Sequence, residues 1–325
     1  MLKGLELAKQ YYEQFGKDAI EQFLASHPQI SIAAGLAGEG SQCFGYDDQL
    51  SRDHDFAPGF CIWLSDEDFS SAGAELQAAY DRLPDRFLDI SRENMIAKGR
   101  LGVTTISRFY SQFTGCSGTV SQPGLPQNNL QWLMAPEHCL AASTNGRIFR
   151  DDNGVFSRVR QSLLDFYPPD VLRKKIAARA AVLSQAGQYN LLRVIRREDE
   201  VAAMLSASRF TEAALSMIYL LNRRYMPFYK WAYHGLSDLE LLSDIGRKLE
   251  KFPEVFSRLQ SGKAKYAYDQ AFSITEEICA ALAAELRRQG FSSVQSDFLQ
   301  DHLADIMAGI ADPQIGNMPP MADFN

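Results

Sequence analysis

The chain has 325 residues, with 33 basic and 40 acidic side chains and a formal net charge of −7. Hydrophobic residues make up 46% of the sequence, which is typical of a globular protein and excludes a disordered or fibrous chain. The acidic balance argues against non-specific DNA binding, which requires a basic surface.

No stretch of the sequence reaches the roughly 20 apolar residues that cross a bilayer, so we expect no membrane-spanning segment. The N-terminal residues alternate charged and apolar side chains at helical spacing and do not resemble a signal peptide. The five cysteines include no CxxC pair, which disfavours a disulfide framework and is typical of a reducing compartment. We therefore predict a cytoplasmic protein.

The predicted elements change in kind near residue 150. The N-terminal 26 residues have apolar side chains at helical spacing. Short apolar or β-branched runs predict strands at residues 30–34, 60–64, 101–106 and 147–149. After residue 155 only helical patterns follow. We therefore predict an α+β fold, with a small mixed β-sheet and flanking helices in residues 1–150 and an all-helical domain in residues 151–325.

The two predicted domains differ in charge. Residues 1–150 carry 12 basic and 18 acidic side chains, whereas residues 158–230 carry 13 basic and 6 acidic ones. One interpretation is a cleft with metal-binding carboxylates on one wall and anion-binding bases on the other. The alternative is two solvated surfaces, which is the usual role of clustered charges.

A glycine-rich loop and two aspartates carry the predicted chemistry. Gly40 and Ser41 are followed, after eleven residues, by Asp53-His54-Asp55. Glycine allows close approach of the backbone, and successive N–H groups with a serine hydroxyl bind anions. On an extended chain Asp53 and Asp55 point to the same side, and carboxylate oxygens are ligands that Mg²⁺ prefers. The sequence therefore predicts a Mg²⁺-bound nucleoside triphosphate with its phosphates on Gly40 and Ser41.

This pattern resembles the signature of the polymerase-beta-type nucleotidyltransferase superfamily. The run GEGSQCFGYDDQLSRDHDF further resembles an uncharacterised bacterial domain family within it, as do residues 132–149, 163–170, 187–193 and 225–231. The resemblance implies a nucleotidyltransferase fold followed by a helical substrate- and nucleotide-binding domain. It also implies Mg²⁺-dependent transfer of a nucleoside monophosphate from a nucleoside triphosphate to a hydroxyl acceptor, with release of pyrophosphate. We expect a small-molecule acceptor rather than tRNA or protein.

Active members of that superfamily place a third carboxylate on a later strand of the sheet. The predicted strand at 101–106 contains Thr104 and Thr105 but no acid. Asp89 is the nearest acid in an apolar run, and it is a candidate catalytic residue if its segment is a strand. It could equally cap a following helix. A chain without a third carboxylate would instead be a non-catalytic nucleotide-binding or protein-interaction module that retains the fold.

Three basic residues of the second half are candidate phosphate ligands. Arg193 and Arg196 share one predicted helical face with Tyr189, and a guanidinium can donate two hydrogen bonds to one phosphate. Lys230 lies in an aromatic run, residues 225–231, that could form one wall of a nucleotide site. The alternatives are a salt-bridged surface helix for the arginines and a packed joint between helices for the aromatic run.

Overall fold

The computed structural model describes residues 2–52, 56–92 and 100–322, and it has the predicted α+β architecture. Six strands lie in this part of the chain: β1 (Ala33–Leu36), β2 (Cys61–Leu64), β3 (Arg86–Phe87), β4 (Ile90–Ser91), β5 (Gly102–Thr105) and β6 (Arg147–Asp151). Four of them form the main sheet in the order β5-β2-β1-β6, and β3 and β4 form a separate hairpin. Strand β1 is antiparallel to β2 and β6, whereas β5 is parallel to β2.

Helices precede, connect and follow the strands of the first 151 residues, and the described elements after β6 are all helices. In chain order they are α1 (Gly4–Tyr11), α2 (Lys17–Ser26), α3 (Ser41–Phe44), α4 (Asp66–Asp81), α5 (Ile106–Thr114), α6 (Asn129–Met134), α7 (Glu137–Thr144), α8 (Val155–Leu164), α9 (Pro169–Leu183), α10 (Leu192–Arg196), α11 (Glu200–Leu221), α12 (Tyr229–Ala232), α13 (Ser243–Gly246), α14 (Phe252–Gln260), α15 (Ala264–Arg288), α16 (Leu303–Ala308) and α17 (Pro313–Gly316). Two π-helical segments, Tyr12–Gly16 and Ser184–Leu191, join α1 to α2 and α9 to α10. None of the helices in the described ranges is long and apolar enough to cross a membrane.

The two central strands are covered on both faces. Every residue of β1 and β2 is buried, which explains why these segments are continuous apolar runs rather than alternating ones. Ile62 and Leu64 belong to the apolar core that the N-terminal helices and α4 complete. Trp63 points to the opposite face, where its ring stacks on Phe156 of α8 with centroids 4.1 Å apart.

The chain folds into two compact units. The first comprises Met1–Gln127 and Cys139–Asp165, and the second comprises Asn128–His138 and Phe166–Asn325. The boundary that the sequence predicts at residue 150 falls within β6. Because β6 pairs with β1 and α8 packs on Trp63, the first unit extends to Asp165.

Candidate functional site

The loop between β1 and α3 contains the two predicted phosphate-binding residues. Gly40 has φ +102°, a conformation that favours glycine, and Ser41 begins the short helix α3. A Cβ atom at residue 40 would also overlap the guanidinium of Arg100, whose Cζ would lie 3.3 Å away. The same guanidinium donates a hydrogen bond to the carbonyl oxygen of Glu39. Glycine at position 40 is therefore favoured by the backbone conformation, and the neighbouring cation occupies the space that a Cβ atom would take.

Several chain segments reach the end of the sheet at which this loop lies. The last residues of β1 pair with the first residues of its neighbours, Gly35 opposite Cys61 and Leu36 opposite Arg147. Because β5 is parallel to β2, its first residue, Gly102, also lies at this end. We call this end the loop edge; it comprises residues 37–45, 56–60, 100–102 and 145–147. Residues 56–60, which lead into β2, therefore lie at the same end of the sheet as the Gly40-Ser41 loop.

The start of the loop is held by a single side chain. The amide of Gly38 donates to Oδ1 of Asn145 at 2.9 Å, and Nδ2 of Asn145 donates to the carbonyl oxygen of Gly38 at 2.7 Å. The next residue, Gly146, donates its N–H to the carbonyl oxygen of Cys43 at 2.9 Å. The segment before β6 thus fixes both the entrance to the loop and the helix that follows it.

Asp47 is a fully buried acid close to the loop edge in sequence. Its Oδ2 accepts a hydrogen bond from the N–H of Gly4 at 3.0 Å, and the Lys3 ammonium donates to its carbonyl oxygen. Its Oδ1 has no hydrogen-bond partner in the described part of the chain. Asp47 therefore anchors the segment after α3 to the start of α1. Sequence reasoning missed both Asp47 and Arg100, because their partners lie 43 and about 60 residues away and no local pattern marks them.

Two buried thiols lie beneath the loop edge. Burial raises the pKa of Cys43 and of Cys61 to about 12, and for Cys43 the nearby Cys61 adds to the effect. The Sγ of Cys61 donates to the carbonyl oxygen of Arg100 at 3.1 Å, which ties the start of β5 to β2. Both side chains are therefore protonated packing groups at neutral pH rather than nucleophiles.

Of the three predicted catalytic carboxylates, only Asp89 lies within the described residues. Asp53 and Asp55, the predicted metal ligands, lie outside the described residues. Asp89 is exposed in the two-residue turn between β3 and β4, with φ +62°. Such a turn requires left-handed backbone at both positions, which aspartate tolerates better than most residues. Asp89 thus occupies neither position expected of it, since it lies neither on the main sheet nor at a helix cap.

The main sheet offers no substitute acid at the loop edge. Strand β5 carries Thr104 and Thr105, as the sequence predicts, and the hydroxyl of Thr105 caps α5 by accepting from the N–H of Arg108 at 3.0 Å. The one acid within the four strands is Asp151, at the opposite end of the sheet, where it accepts from the N–H of Ser157 at 2.8 Å. Within residues 2–52, 56–92 and 100–322, no three His, Cys, Asp or Glu side chains are grouped as a metal site.

The basic candidates of the second half lie in the helical unit. Arg193 stacks on the ring of Tyr189 at 3.5 Å, and Arg196 donates to the hydroxyl of Tyr268 at 2.8 Å. Lys230 is exposed and lies 5.7 Å from the ring of Trp231. The structure thus brings Arg193 and Arg196 onto one surface, but it places them in a different unit from Gly40 and Ser41.

The start of the aromatic run has the packing role that the sequence left open. Tyr225 is buried and its ring contacts those of Phe166 and Tyr167, with centroids 4.8 and 5.1 Å away. Phe228 packs edge-on against His138, at 5.6 Å. This segment is therefore a joint between elements of the helical unit, with Lys230 on its exposed side.

The helical unit also contains a buried polar cluster that sequence reasoning missed. Glu137 accepts hydrogen bonds from Arg179 at 2.6 Å and from Ser216 at 2.9 and 3.0 Å. Lys175 is fully buried, with its ammonium nitrogen 5.1 Å from the ring centroid of Tyr167. Burial lowers the pKa of Lys175 to about 7, partly offset by the nearby Glu137. These side chains come from three helices and from Tyr167, two residues before α9, so no single periodic pattern indicates them.

Comparison with known proteins gives one partial match. Residues 132–232 match the model of a family described as "Domain of unknown function (DUF4037)". The matched region contains Glu137, Lys175, Arg179 and Ser216 but not the Gly40-Ser41 loop. No curated protein and no solved structure matches the chain.

Proposed function

We propose that this chain is a nucleotidyltransferase that moves a nucleoside monophosphate from a nucleoside triphosphate to a hydroxyl acceptor. The observation that carries the proposal is the Gly40-Ser41 loop at the end of β1, at the same end of the sheet as residues 56–60, which lead into β2. The chain between the loop and these residues contains Asp53 and Asp55. The order of strand, Gly-Ser loop, aspartate pair and strand is that of the polymerase-beta-type superfamily.

Arg100 supports a phosphate-binding role for the loop. Residues 35–46 contain no base of their own, and their one charged side chain is Glu39. The Arg100 guanidinium lies against Gly40 and supplies a positive charge there. Gly40 has no Cβ and adopts positive φ, which allows a phosphate oxygen to approach the backbone N–H groups of Gly40 and Ser41. We assign Gly40, Ser41 and Arg100 to the β- and γ-phosphates.

The proposed reaction is an in-line displacement at the α-phosphorus. The acceptor hydroxyl oxygen attacks that phosphorus and releases its proton to water, the bond from the phosphorus to the bridging oxygen breaks, and pyrophosphate leaves with the electron pair. Asp53 and Asp55 would hold Mg²⁺, since paired carboxylates suit this ion. Bound Mg²⁺ would neutralise charge on the phosphate oxygens. Gly40, Ser41 and Arg100 hold the leaving group, which fixes the direction of attack.

A second candidate is a non-catalytic nucleotide-binding module. It is favoured by one observation, the lack of an acid at the loop edge within the described strands, together with the exposed turn position of Asp89. Without a third carboxylate, the acceptor proton has no evident base. This candidate shares nucleotide binding with the first and differs from it in turnover.

The experiment measures binding and turnover separately. Isothermal titration with ATP, CTP, GTP and UTP in the presence of Mg²⁺ reports binding, and pyrophosphate release in the presence of a cell extract reports transfer. Asp53→Asn and Asp55→Asn should abolish pyrophosphate release, whereas Asp18→Asn, an exposed aspartate on α2, should not alter it. Binding without release in the wild type would select the non-catalytic module. A wild-type chain that binds no nucleotide would overturn both candidates.

A further inference from the structure

One surface of the helical unit combines two arginines with three aromatic rings. Tyr189 and Arg193 form one stacked pair, and Arg196 lies 4.4 Å from the ring centroid of Tyr268. Tyr268 in turn lies parallel to Phe272, with ring centroids 6.5 Å apart. The rings at both ends of this row are accessible to solvent, since the side chains of Tyr189 and Phe272 are each 48% exposed. We call these five residues the arginine–aromatic surface.

No ion pair found among the described residues involves the arginines of this surface. Residues 184–197 contain Arg193, Arg196 and Arg197 but no Asp or Glu, and the acids Glu198–Glu200 follow directly. All three arginines are exposed, and the ion pairs found in the described ranges include none of them. Arg193 and Arg196 bind aromatic rings instead, which orients their guanidinium groups without neutralising them. The surface therefore keeps its positive charge although the whole chain carries −7.

The local helix geometry produces this row. The π-helical segment Ser184–Leu191 ends at α10, and Tyr189 lies one turn before Arg193. Arg196 follows three residues later and reaches across to α15, where Tyr268 and Phe272 are four residues apart on one face. Two helices of the same unit thus contribute to one continuous surface.

We propose that the arginine–aromatic surface binds single-stranded nucleic acid. Exposed rings offer stacking positions for successive unpaired bases, and the intervening guanidinium groups reach backbone phosphates. A duplex hides the faces of its bases, so the surface selects unpaired strands. A mononucleotide can occupy one ring and one arginine at most, so a strand binds more tightly than a free nucleotide. This binding is independent of the proposed transferase activity and needs neither Mg²⁺ nor the loop edge.

The test is fluorescence anisotropy with a labelled 12-nucleotide oligouridine, in chelator and without nucleoside triphosphate. One separate arm uses oligothymidine, which distinguishes DNA from RNA as the source of the strand, and another uses a duplex, which tests the preference for unpaired strands. The double variant Arg193→Gln/Arg196→Gln should weaken binding at least tenfold at 50 mM salt. It should also reduce the slope of log affinity against log salt by about 1.4, the value for two phosphate contacts on a single strand.

Stacking is tested with matched aromatic variants. Tyr189→Ala should weaken binding about tenfold. Tyr266→Ala is the control, because Tyr266 is exposed on the same helix as Phe272 and no arginine stacks on it in the described part of the chain. Circular dichroism verifies that each variant is folded.

The proposal fails if the wild type does not bind the oligonucleotides at 100 µM, or if the double variant keeps the wild-type slope of log affinity against log salt. Equal affinity for a mononucleotide, or equal losses in Tyr189→Ala and Tyr266→Ala, would also overturn it.

Discussion

The Asn145 side chain pairs with the backbone of Gly38 through two reciprocal hydrogen bonds, across 107 residues of chain. The amide group of Asn145 presents one donor and one acceptor, as a neighbouring strand would, and so extends the pairing of β1 and β6 beyond their last paired residues. The entrance to the Gly40-Ser41 loop is thereby fixed without a further strand.

Removal of this side chain should destabilise the first unit. Asn145→Ala leaves the buried N–H and C=O groups of Gly38 without partners, which should lower the free energy of unfolding by about 1–3 kcal/mol. Asn145→Asp keeps the acceptor but turns a carboxylate oxygen toward the Gly38 carbonyl, so a similar loss is expected. Urea denaturation monitored by circular dichroism measures both. Asn317→Ala, at an exposed position, is the control, and equal stability of Asn145→Ala and this control would contradict the role of Asn145.

The buried thiols should resist alkylation in the native state. Because the thiolate is the reactive form and the pKa of Cys43 and Cys61 is about 12, iodoacetamide at pH 8 should modify neither within the time needed to modify Cys139. Cys139 is partly exposed, although burial raises its pKa as well. Peptide mass spectrometry after a short pulse gives the order, and full modification in 6 M urea provides the control. Rapid native labelling of Cys43 would show that the loop edge opens readily.

Lys175 should give the stability a distinctive pH dependence. Its folded-state pKa of about 7 lies below the value of about 10.4 in an unfolded chain. Between these values the unfolded chain binds more protons, so the free energy of unfolding rises with pH. Glu137, which raises the pKa, and Arg179, which lowers it, are the charged groups that act on Lys175.

The variant Lys175→Met removes this titration. The stability of the wild type relative to the variant should therefore increase by up to about 1.4 kcal/mol for each pH unit between pH 7.5 and 9.5. Urea denaturation at four pH values measures the difference, in which the titration of all other groups cancels. Lys265→Met, at an exposed position on α15, is the control substitution. A difference in stability for Lys175→Met that does not change with pH would contradict a lowered pKa.

The strands of the main sheet could be predicted because their signals are local. Runs of apolar or β-branched residues at 30–34, 60–64 and 101–106 correspond to β1, β2 and β5, and their ends differ from the observed ones by at most three residues. These strands are short, and β1 and β2 are fully buried, so composition alone marks them. The end of the first unit could not be predicted in this way, because it depends on Phe156 packing against Trp63, 93 residues earlier.

At the loop edge, too, residues marked by a local sequence pattern could be predicted, and residues that depend on distant contacts could not. Gly40 and Ser41 stand out from a local pattern, and the structure places them in a loop at the end of a strand. Arg100 and Asp47 depend on contacts with Gly40 and Gly4 that only the folded chain creates. Asp89 shows that a local pattern can also mislead. Its apolar neighbours are compatible with a strand of the main sheet, but Leu88 and Asp89 both have left-handed backbone and turn the segment into a separate hairpin.

The buried cluster around Glu137 should be essential for the stability of the helical unit. Glu137→Ala removes the carboxylate that accepts from Arg179, whose side chain is only 12% exposed, and a loss of about 3–5 kcal/mol is expected. Glu137→Gln should lose less, because its amide oxygen still accepts from Arg179 or Ser216. Ser216→Ala removes one neutral donor and should cost about 1 kcal/mol.

The order of these three losses in the free energy of unfolding shows whether Glu137 stabilises the unit through its charge or through packing alone. Chemical denaturation of each variant measures it, and a Glu137→Gln variant as unstable as Glu137→Ala would indicate that the charge, rather than the shape of the side chain, is required. A loss below about 1 kcal/mol for Glu137→Ala would contradict the role of the cluster. Glu137, Arg179 and Ser216 all lie within the region that matches the family model. A large loss would therefore link these matched positions to the folding of the helical unit, independently of any nucleotide at the loop edge.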